Sequence, residues 1–343
     1  MKLPRGAYVL LVLALLAGAG ALFLERIPRG ASDPHWHPLE ASPQHQPVVT
    51  AEVAGGQHLR LVVDTAIRHS QARATVAGQL GLRPKRSLMQ LPRNPNTTCV
   101  TIDRLNIAPV VFRNLPLLLY RQDPGPSYVS HTPLSRRGIN EPSFRLVKSG
   151  AEWPVDGAPD GSLGTDALER TAWVLDPELS RCALLPQVSR RELAALQFGD
   201  PIPITRASGG LFWLLVNFGG IEQAAVLDTG SSITFITGEM AEALRLKPDG
   251  LIEPYSSGFS AERLRRTRIP TIRIGPHTIS GPEVAYLEGE GAASPITLGM
   301  NVLSQFRMLI DFPNRNLYLA PLTPPGQEKL RLASGESRRL SHH

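Results

Sequence analysis

An internal duplication is the feature of this 343-residue chain that most limits its fold. Asp64-Thr65 lies 164 positions before Asp228-Thr229, and the same offset places Gly55-Gly56 on Gly219-Gly220 without a gap. Each Asp-Thr pair follows a short apolar run, so each ends a predicted strand. Because the period is as long as a whole lobe, the sequence predicts two copies of one structural unit.

Two further blocks extend the repeat. Leu163–Pro186 matches Leu298–Pro321 at an offset of 135, and Ile102–Pro109 matches Ile269–Pro276 at an offset of 167. The chain has 31 prolines and 30 glycines, which separate short runs rich in leucine and β-branched residues. This pattern predicts strands and turns with few helices. We therefore expect an all-β protein with two compact lobes.

Two motifs of the second copy, Val226–Gly230 and Thr297–Gly299, carry a resemblance to a known class. An apolar-apolar-Asp-Thr-Gly turn followed by an apolar-Gly segment resembles the pepsin and retropepsin class of aspartic proteases, most closely its retroviral-type lobe. The resemblance extends over residues 200–322 and, more weakly, over 47–186. It implies two tandem retropepsin-like lobes related by pseudo-two-fold symmetry.

The resemblance also implies a catalytic pair, Asp64 and Asp228. Two carboxylates that share one proton can activate a water and protonate a scissile carbonyl. The residues implied to support the pair are Thr65, Ala66, Thr229, Gly230, Ser231, Gly164 and Gly299. The implied substrate is a peptide or protein. We expect no cofactor, no metal and no nucleic acid partner, and a monomer.

The first copy departs from the motif directly after its Asp-Thr pair. Ala66, Ile67 and Arg68 stand where the second copy has Gly230, Ser231 and Ser232. A cation near Asp64 would favour its ionised form. Arg68 would then either assign Asp64 the role of base or lock it in an ion pair, and the sequence leaves both outcomes open.

In this class, hairpin flaps close over an extended peptide. Our candidate flap tip in the second lobe is Tyr255, Gly258 and Phe259, within residues 255–259, and the alternative is an ordinary Gly-Ser loop. In the first lobe Leu88–Thr98 is the corresponding segment. The first lobe also has an insertion at about residues 121–160, rich in proline, glycine and serine.

Cys99 and Cys182 both fall in the first lobe. A disulfide between them is one interpretation in an oxidising compartment, and two buried thiols are the other.

The N-terminus predicts an export signal. Ala7–Leu24 is an uninterrupted run of apolar or small residues after Lys2 and Arg5. Such a run is about the minimum that spans a bilayer, so we expect residues 1–26 to anchor the chain in the inner membrane with its body in the periplasm. A cleaved signal peptide is the alternative.

The remaining boundaries follow from composition and repeat. Residues 27–46 are a predicted Pro/His-rich tether, 47–186 the first lobe, 187–200 a linker helix, 201–322 the second lobe and 323–343 a polar tail. The linker helix begins at a capping box, Ser189 with Glu192, and we expect Gly199 to end it.

Three functions remain open from the sequence. The first is an endopeptidase that uses Asp64 and Asp228 of one chain. The second is a homodimer that uses Asp228 twice. The third is a pseudoprotease that binds peptides or a partner without cutting them.

Overall fold

The computed structural model describes residues 34–42, 46–82, 97–120, 159–248, 252–256, 261–288 and 296–323. Within them the chain is mostly β, as predicted, with five short helices.

The first lobe is a seven-stranded sheet with β3 also paired to β6, so the sheet curls back on itself. Its strands run in the order β2-β3-β4-β8-β5-β7-β6. The strands of this half of the chain are β1 (Trp36–Pro38), β2 (Glu40–Ala41), β3 (Pro47–Val53), β4 (His58–Val63), β5 (Gln71–Arg73), β6 (Thr97–Ile107), β7 (Val110–Tyr120), β8 (Gly161–Leu163), β9 (Ala172–Asp176) and β10 (Arg181–Leu185), and its helices are α1 (Ala74–Gln79) and α2 (Thr165–Leu168).

Helix α3 (Arg190–Leu196) joins the lobes. The predicted capping box is present: the Glu192 N–H donates to Ser189 Oγ at 3.2 Å, and the Ser189 N–H donates to Glu192 Oε2 at 2.7 Å. The predicted stop at Gly199 is wrong. Gln197 ends the helix in the left-handed region, with φ of 52°.

The second lobe forms one sheet in the order β16-β17-β20-β15-β21-β14-β13-β18-β19, with β12 paired to β13. Its strands are β11 (Ile202–Pro203), β12 (Thr205–Arg206), β13 (Phe212–Phe218), β14 (Ile221–Leu227), β15 (Thr234–Phe235), β16 (Ile252–Ser256), β17 (Ala261–Arg268), β18 (Thr271–Ile274), β19 (His277–Ser280), β20 (Glu283–Glu288), β21 (Thr297–Leu298), β22 (Phe306–Asp311) and β23 (Asn316–Pro321), and its helices are α4 (Gly238–Ala243) and α5 (Met300–Leu303).

The repeat registers relate the strands of the two lobes. Strands β3 and β4 correspond to β13 and β14, and β8, β9 and β10 correspond to β21, β22 and β23. The predicted Gly-Gly turn between β13 and β14 has φ of 58° at Gly219 and 103° at Gly220. Positive φ at both central residues is what a two-residue hairpin turn requires, so the glycines fix this register.

A third sheet joins the lobes, in the order β1-β10-β9-β22-β23-β11. At its centre β9 runs antiparallel to β22, and Val174 lies opposite Leu309. These two residues are equivalent in the 135-residue register, so the pseudo-two-fold axis passes between them. Trp173, fully buried, belongs to the apolar core that continues through both lobes.

Part of the predicted tether is folded. Trp36–Pro38 pairs with β10, and the Arg181 guanidinium stacks on the Trp36 ring at 3.8 Å. Strand β11 makes the equivalent pairing with β23 in the second lobe. Residues 34–42 therefore belong to the body of the protein and not to a tether.

Cys99 and Cys182 are free and buried, so the disulfide interpretation is wrong and the two-thiol alternative is the one found. Burial raises the pKa of Cys182 to about 12, which leaves this thiol protonated and unreactive.

Several predictions fall outside the described residues: the anchor at 1–26, the insertion over 121–158 and the tail beyond 323. Over the described ranges, the structure has no helix long and apolar enough to cross a membrane.

Candidate active site

Matching elements deliver Asp64 and Asp228 to the boundary between the lobes. Asp64 follows β4, and its N–H donates to Leu163 O at 3.0 Å. Asp228 follows β14, and its N–H donates to Leu298 O at 3.1 Å. Each turn is thus fixed by a parallel strand, β8 or β21, from the second repeat block.

Thr65 and Thr229 bind the two turns to each other. The Thr65 N–H donates to Thr229 Oγ1 at 3.2 Å, and the Thr229 N–H donates to Thr65 Oγ1 at 3.0 Å. Each threonine hydroxyl also donates to a main-chain carbonyl of the opposite lobe. Thr65 Oγ1 donates to Leu227 O at 2.6 Å, and Thr229 Oγ1 donates to Val63 O at 2.5 Å. Both threonines are fully buried, so these bonds have no competition from water.

Replacing Thr65 or Thr229 by valine is expected to lower the free energy of unfolding by about 2–4 kcal/mol, because each change leaves buried backbone groups without partners. The double variant should show a coupling of about 1–3 kcal/mol, since the side chains share partners. Urea unfolding of the single and double variants measures this. Thr50→Val, at an exposed position of β3, is the control and should change stability by less than about 0.5 kcal/mol. If the losses in unfolding free energy of the two single variants simply add in the double variant, the two threonines do not share a hydrogen-bond network.

The Asp64 carboxylate reaches the second catalytic turn at Gly230. A Cβ atom added there would lie 2.2 Å from Asp64 Cγ, which shows how closely the Asp64 carboxylate approaches the second turn. At the equivalent place in the first lobe, the Ala66 methyl packs with Leu211 and Val226 of the second lobe. The alanine that departs from the motif is therefore accommodated, whereas an alanine at 230 would collide with Asp64.

The electrostatics of the pair follow from burial and proximity. Burial raises the pKa of Asp64 to about 6, against the opposing effect of the Ala66 and Ile67 N–H groups. Burial, together with the nearby Asp64 charge, raises the pKa of Asp228 well above its ordinary value, against the Gly230 and Ser231 N–H groups. The two carboxyl groups therefore titrate at different pH, and over a range of pH the pair holds a single proton.

This charge state predicts a pH-dependent stability difference. The unfolded chain ionises Asp64 near pH 3.8 but the folded chain only near pH 6, so folding loses stability as pH rises through this window. Asp64→Asn removes that loss. Its free energy of unfolding relative to the wild type should be similar below about pH 4 and higher by up to about 3 kcal/mol above pH 6. Unfolding curves at several pH values test this, and a difference independent of pH would contradict it.

Arg68 brings about neither of the two outcomes predicted for it. In the described part of the chain Asp64 makes no ion pair with Arg68, and its pKa depends on burial and backbone donors. Arg68 is exposed, and its stem lies beside Gly210 of the second lobe. Ile67 in place of Ser231 is also of little consequence to the carboxylates, because the Ser231 hydroxyl donates to Ile233 O at 2.8 Å.

Gly164 and Gly299, implied by the resemblance to support the pair, allow close backbone contact. A Cβ at Gly164 would lie 2.7 Å from the His69 carbonyl carbon, and one at Gly299 would lie 2.3 Å from Ile233 O. Each glycine therefore lets its segment pack directly against the chain that follows the catalytic turn.

A second pair of equivalent polar contacts was missed from the sequence. Ser70 Oγ donates to Asp166 Oδ1 at 2.6 Å and accepts from the Gly164 N–H at 3.0 Å. In the second lobe Thr234 Oγ1 donates to Asn301 Oδ1 at 2.9 Å and accepts from the Gly299 N–H at 3.0 Å. The offset of 164 relates Ser70 to Thr234, and the offset of 135 relates Asp166 to Asn301. These two matches are the sequence signal from which the contacts could have been predicted.

Of the candidate flap, Tyr255 lies on β16, which pairs antiparallel with β17, so the segment is part of a β-hairpin and not only a loop. Gly258 and Phe259 lie outside the described residues.

Comparison with known proteins agrees with this site. Residues 214–302 match the sequence profile of a family described as Aspartyl protease, and this span contains both Asp228-Thr229-Gly230 and Leu298-Gly299. The match confirms the class recognised from these motifs. A solved retropepsin-like aspartic protease from Rickettsia conorii is 21% identical over 36% of this chain and 93% of its own, with a TM-score of 0.29. No curated protein matches the sequence.

Proposed function

We propose that the chain is an aspartic endopeptidase whose catalytic pair, Asp64 and Asp228, comes from one molecule. The observation that carries this proposal is the approach of the Asp64 carboxylate to Gly230 of the second turn. Two aspartates that titrate at different pH form a base and an acid that work together at one pH.

A pair that holds a single proton consists of one base and one acid, and we assign Asp64 as the base. It takes a proton from a bridging water, and the resulting hydroxide attacks the scissile carbonyl carbon. Asp228, which keeps its proton, donates it to the carbonyl oxygen as that oxygen gains charge. As whole residues, Asp64 and Asp228 are only partly buried, which supports access of a water and a peptide to the pair. Collapse of the tetrahedral species then breaks the C–N bond. Asp64 delivers the proton from the water to the leaving amine, and the hydroxyl formed from the carbonyl oxygen returns its proton to Asp228 as the C=O bond re-forms.

The proposed substrate is an extended peptide segment, which suits a site formed where β4 and β14 end. Hydrogen bonds to an extended backbone fix the register of the peptide, and side-chain pockets decide which bond lies at the carboxylates.

The homodimer alternative has less support. Asp228 already faces a carboxylate in its own chain, and Thr65 already provides the contacts to Thr229 that a second copy would have to supply. The pseudoprotease alternative requires that Asp64 and Asp228 cannot share a proton, or that water cannot reach them.

Incubation of the purified protein with a peptide library from pH 3 to pH 8, with and without a statine-type transition-state mimic, tests the proposal. We expect cleavage that the mimic inhibits, because a mimic of the tetrahedral species binds most tightly to an assembled pair. Peptide binding without fragments at any pH would refute the protease and favour the pseudoprotease.

We also propose that the N-terminal apolar run anchors the body in the inner membrane, facing the periplasm. To test this, a reporter enzyme that is active only in the periplasm is fused after residue 343. We expect the reporter enzyme to be active. Membrane fractionation then separates an anchored chain from one with a cleaved signal.

A further inference from the structure

Gln46 connects the segment before the first lobe to the catalytic turn of the second. Its side-chain Nε2 donates to the Gly230 carbonyl oxygen. On the other side, Ser42 Oγ donates to Gln46 Oε1 at 3.2 Å and accepts from the Gln46 N–H at 3.0 Å. Because a carbonyl only accepts, these contacts fix which end of the amide faces Gly230.

Ser42 makes this arrangement rigid. It is only 3% exposed, and its N–H donates to Gln46 O at 2.9 Å, so backbone and side chain of the two residues are bonded together. Gln46 itself is half-buried. The amide therefore reaches the second lobe from a fixed base and not from a free loop.

The bond to Gly230 acts on a peptide unit that also contacts a catalytic carboxylate. A peptide unit is planar, and its C=O and N–H point in opposite directions. The Gly230 C=O accepts from Gln46, and the N–H at the other end of the same unit, that of Ser231, donates to the Asp228 carbonyl oxygen at 3.4 Å. The same N–H is one of the two backbone groups that oppose the rise in the pKa of the Asp228 carboxyl. A donor on the C=O both fixes the plane and polarises the unit, which strengthens the N–H donation.

Among the described residues, no side chain makes the counterpart of this contact at the catalytic turn of the first lobe. The residue equivalent to Gln46 at the 164-residue offset is Gly210, which has no side chain to donate. Gly210 lies instead beside the stems of Arg68 and Arg206. The two catalytic turns are therefore supported differently, although their backbones match.

We propose that Gln46 is a positioning residue, which holds the Gly230–Ser231 peptide unit so that its N–H points at Asp228. This role rests on the proposed function, and it makes the N-terminal segment part of the catalytic apparatus of the second lobe. The N-terminal segment that carries Gln46 would then lower the pKa of Asp228 rather than that of Asp64.

In the ranges that the structure describes, no charged group near the pair depends on Gln46, so a change in the titration of the pair after substitution of Gln46 would not come from a lost charge. Asp64 and Asp228 face each other. Arg68 and Arg206, on the segments packed against the turns, lie at Gly210, and His69 lies 3.8 Å from Asp166 Oδ2. Gln46 is uncharged, so its removal alters hydrogen bonding without altering net charge.

Gln46→Met tests the proposal, since it keeps the length of the side chain and removes the donor. With the Ser231 N–H less well aimed, ionised Asp228 loses stabilisation, and its pKa rises. The alkaline limb of the kcat profile should move up by about half to one pH unit, and kcat should fall about three- to tenfold with KM within about twofold. Gln57→Met, exposed in the β3–β4 turn, is the matched control and should behave as the wild type.

Gln46→Glu provides a rescue test. Its carboxyl group can donate to Gly230 O only when protonated, so activity should approach the wild type at the acid end of the profile and fall below it as that group ionises. A purely structural role would produce the same loss at every pH.

Carbon-13 NMR of protein labelled at aspartate carboxyl groups follows the titration of the pair without any substrate. If the wild type cleaves no peptide, the proposed function fails, and this titration still decides the role of Gln46. A folded Gln46→Met variant whose pair titrates as in the wild type would overturn the inference. So would a rise in kcat/KM with an unchanged profile, which would mean that Gln46 obstructs the site.

Discussion

Asparagine in place of either Asp64 or Asp228 is expected to lower kcat for peptide cleavage by about 1000-fold or more, because each variant removes one of the two proton-transfer groups. The change is nearly isosteric and removes a charge whose burial is unfavourable, so the variants should fold. Initial rates on one cleaved peptide, with thermal unfolding as a check, measure the effect. Asp200→Asn, on the exposed linker, is the control carboxylate and should leave kcat unchanged.

The two single variants distinguish the remaining alternatives. If the pair acts as a unit, the double variant should be little worse than either single variant. A homodimer built on Asp228 would keep full activity in Asp64→Asn and lose it only in Asp228→Asn. Wild-type activity in both variants would place the chemistry elsewhere in the chain.

Gly230→Ala is expected to abolish cleavage and to destabilise the lobe boundary by about 1–3 kcal/mol, because overpacking forces neighbouring groups to move. The added Cβ would lie 2.2 Å from Asp64 Cγ and 2.3 Å and 2.4 Å from its two oxygens. Asp64 also accepts from the Ala66 N–H at 3.0 Å, so it cannot turn away without losing a bond that supports its charge. We expect kcat to fall at least about 100-fold.

The repeat supplies a matched control for this variant. Ala66→Gly makes the equivalent position of the first lobe resemble Gly230. It removes a methyl group that packs with Leu211 and Val226, so we expect a loss of about 1 kcal/mol and activity within about tenfold of the wild type. Equal tolerance of both substitutions would contradict the asymmetry of the two turns.

Much of the fold could be predicted because its signals are local. The apolar run before Asp228 forms β14, the glycines at 219 and 220 form the hairpin turn, and Ser189 with Glu192 begins a helix. The spacing of turns and apolar runs repeats from lobe to lobe. Each of these features involves residues within a few positions of one another.

Other features could not be predicted, because they depend on segments that are distant in the chain. Trp36–Pro38 lies outside the repeat, and its strand exists only because the edge of β10 is available to it. The stem of Arg68 lies beside Gly210 of the second lobe. The position of Arg68 directly after the catalytic turn had suggested an ion pair with Asp64 instead. Cys99 and Cys182 both lie on strands of one half, as the repeat indicated, and yet remain unbonded.

The sequence by itself determined that two similar lobes each present an Asp-Thr turn, since apolar periodicity, turn glycines and repeat registers are properties of short segments. Only the tertiary structure decided that Asp64 is accommodated beside Ala66, that burial raises the pKa of both aspartates and that Gln46 contacts the opposite turn. These properties depend on contacts of about 2–4 Å and on burial, and both arise only when residues 164 or more positions apart are brought together.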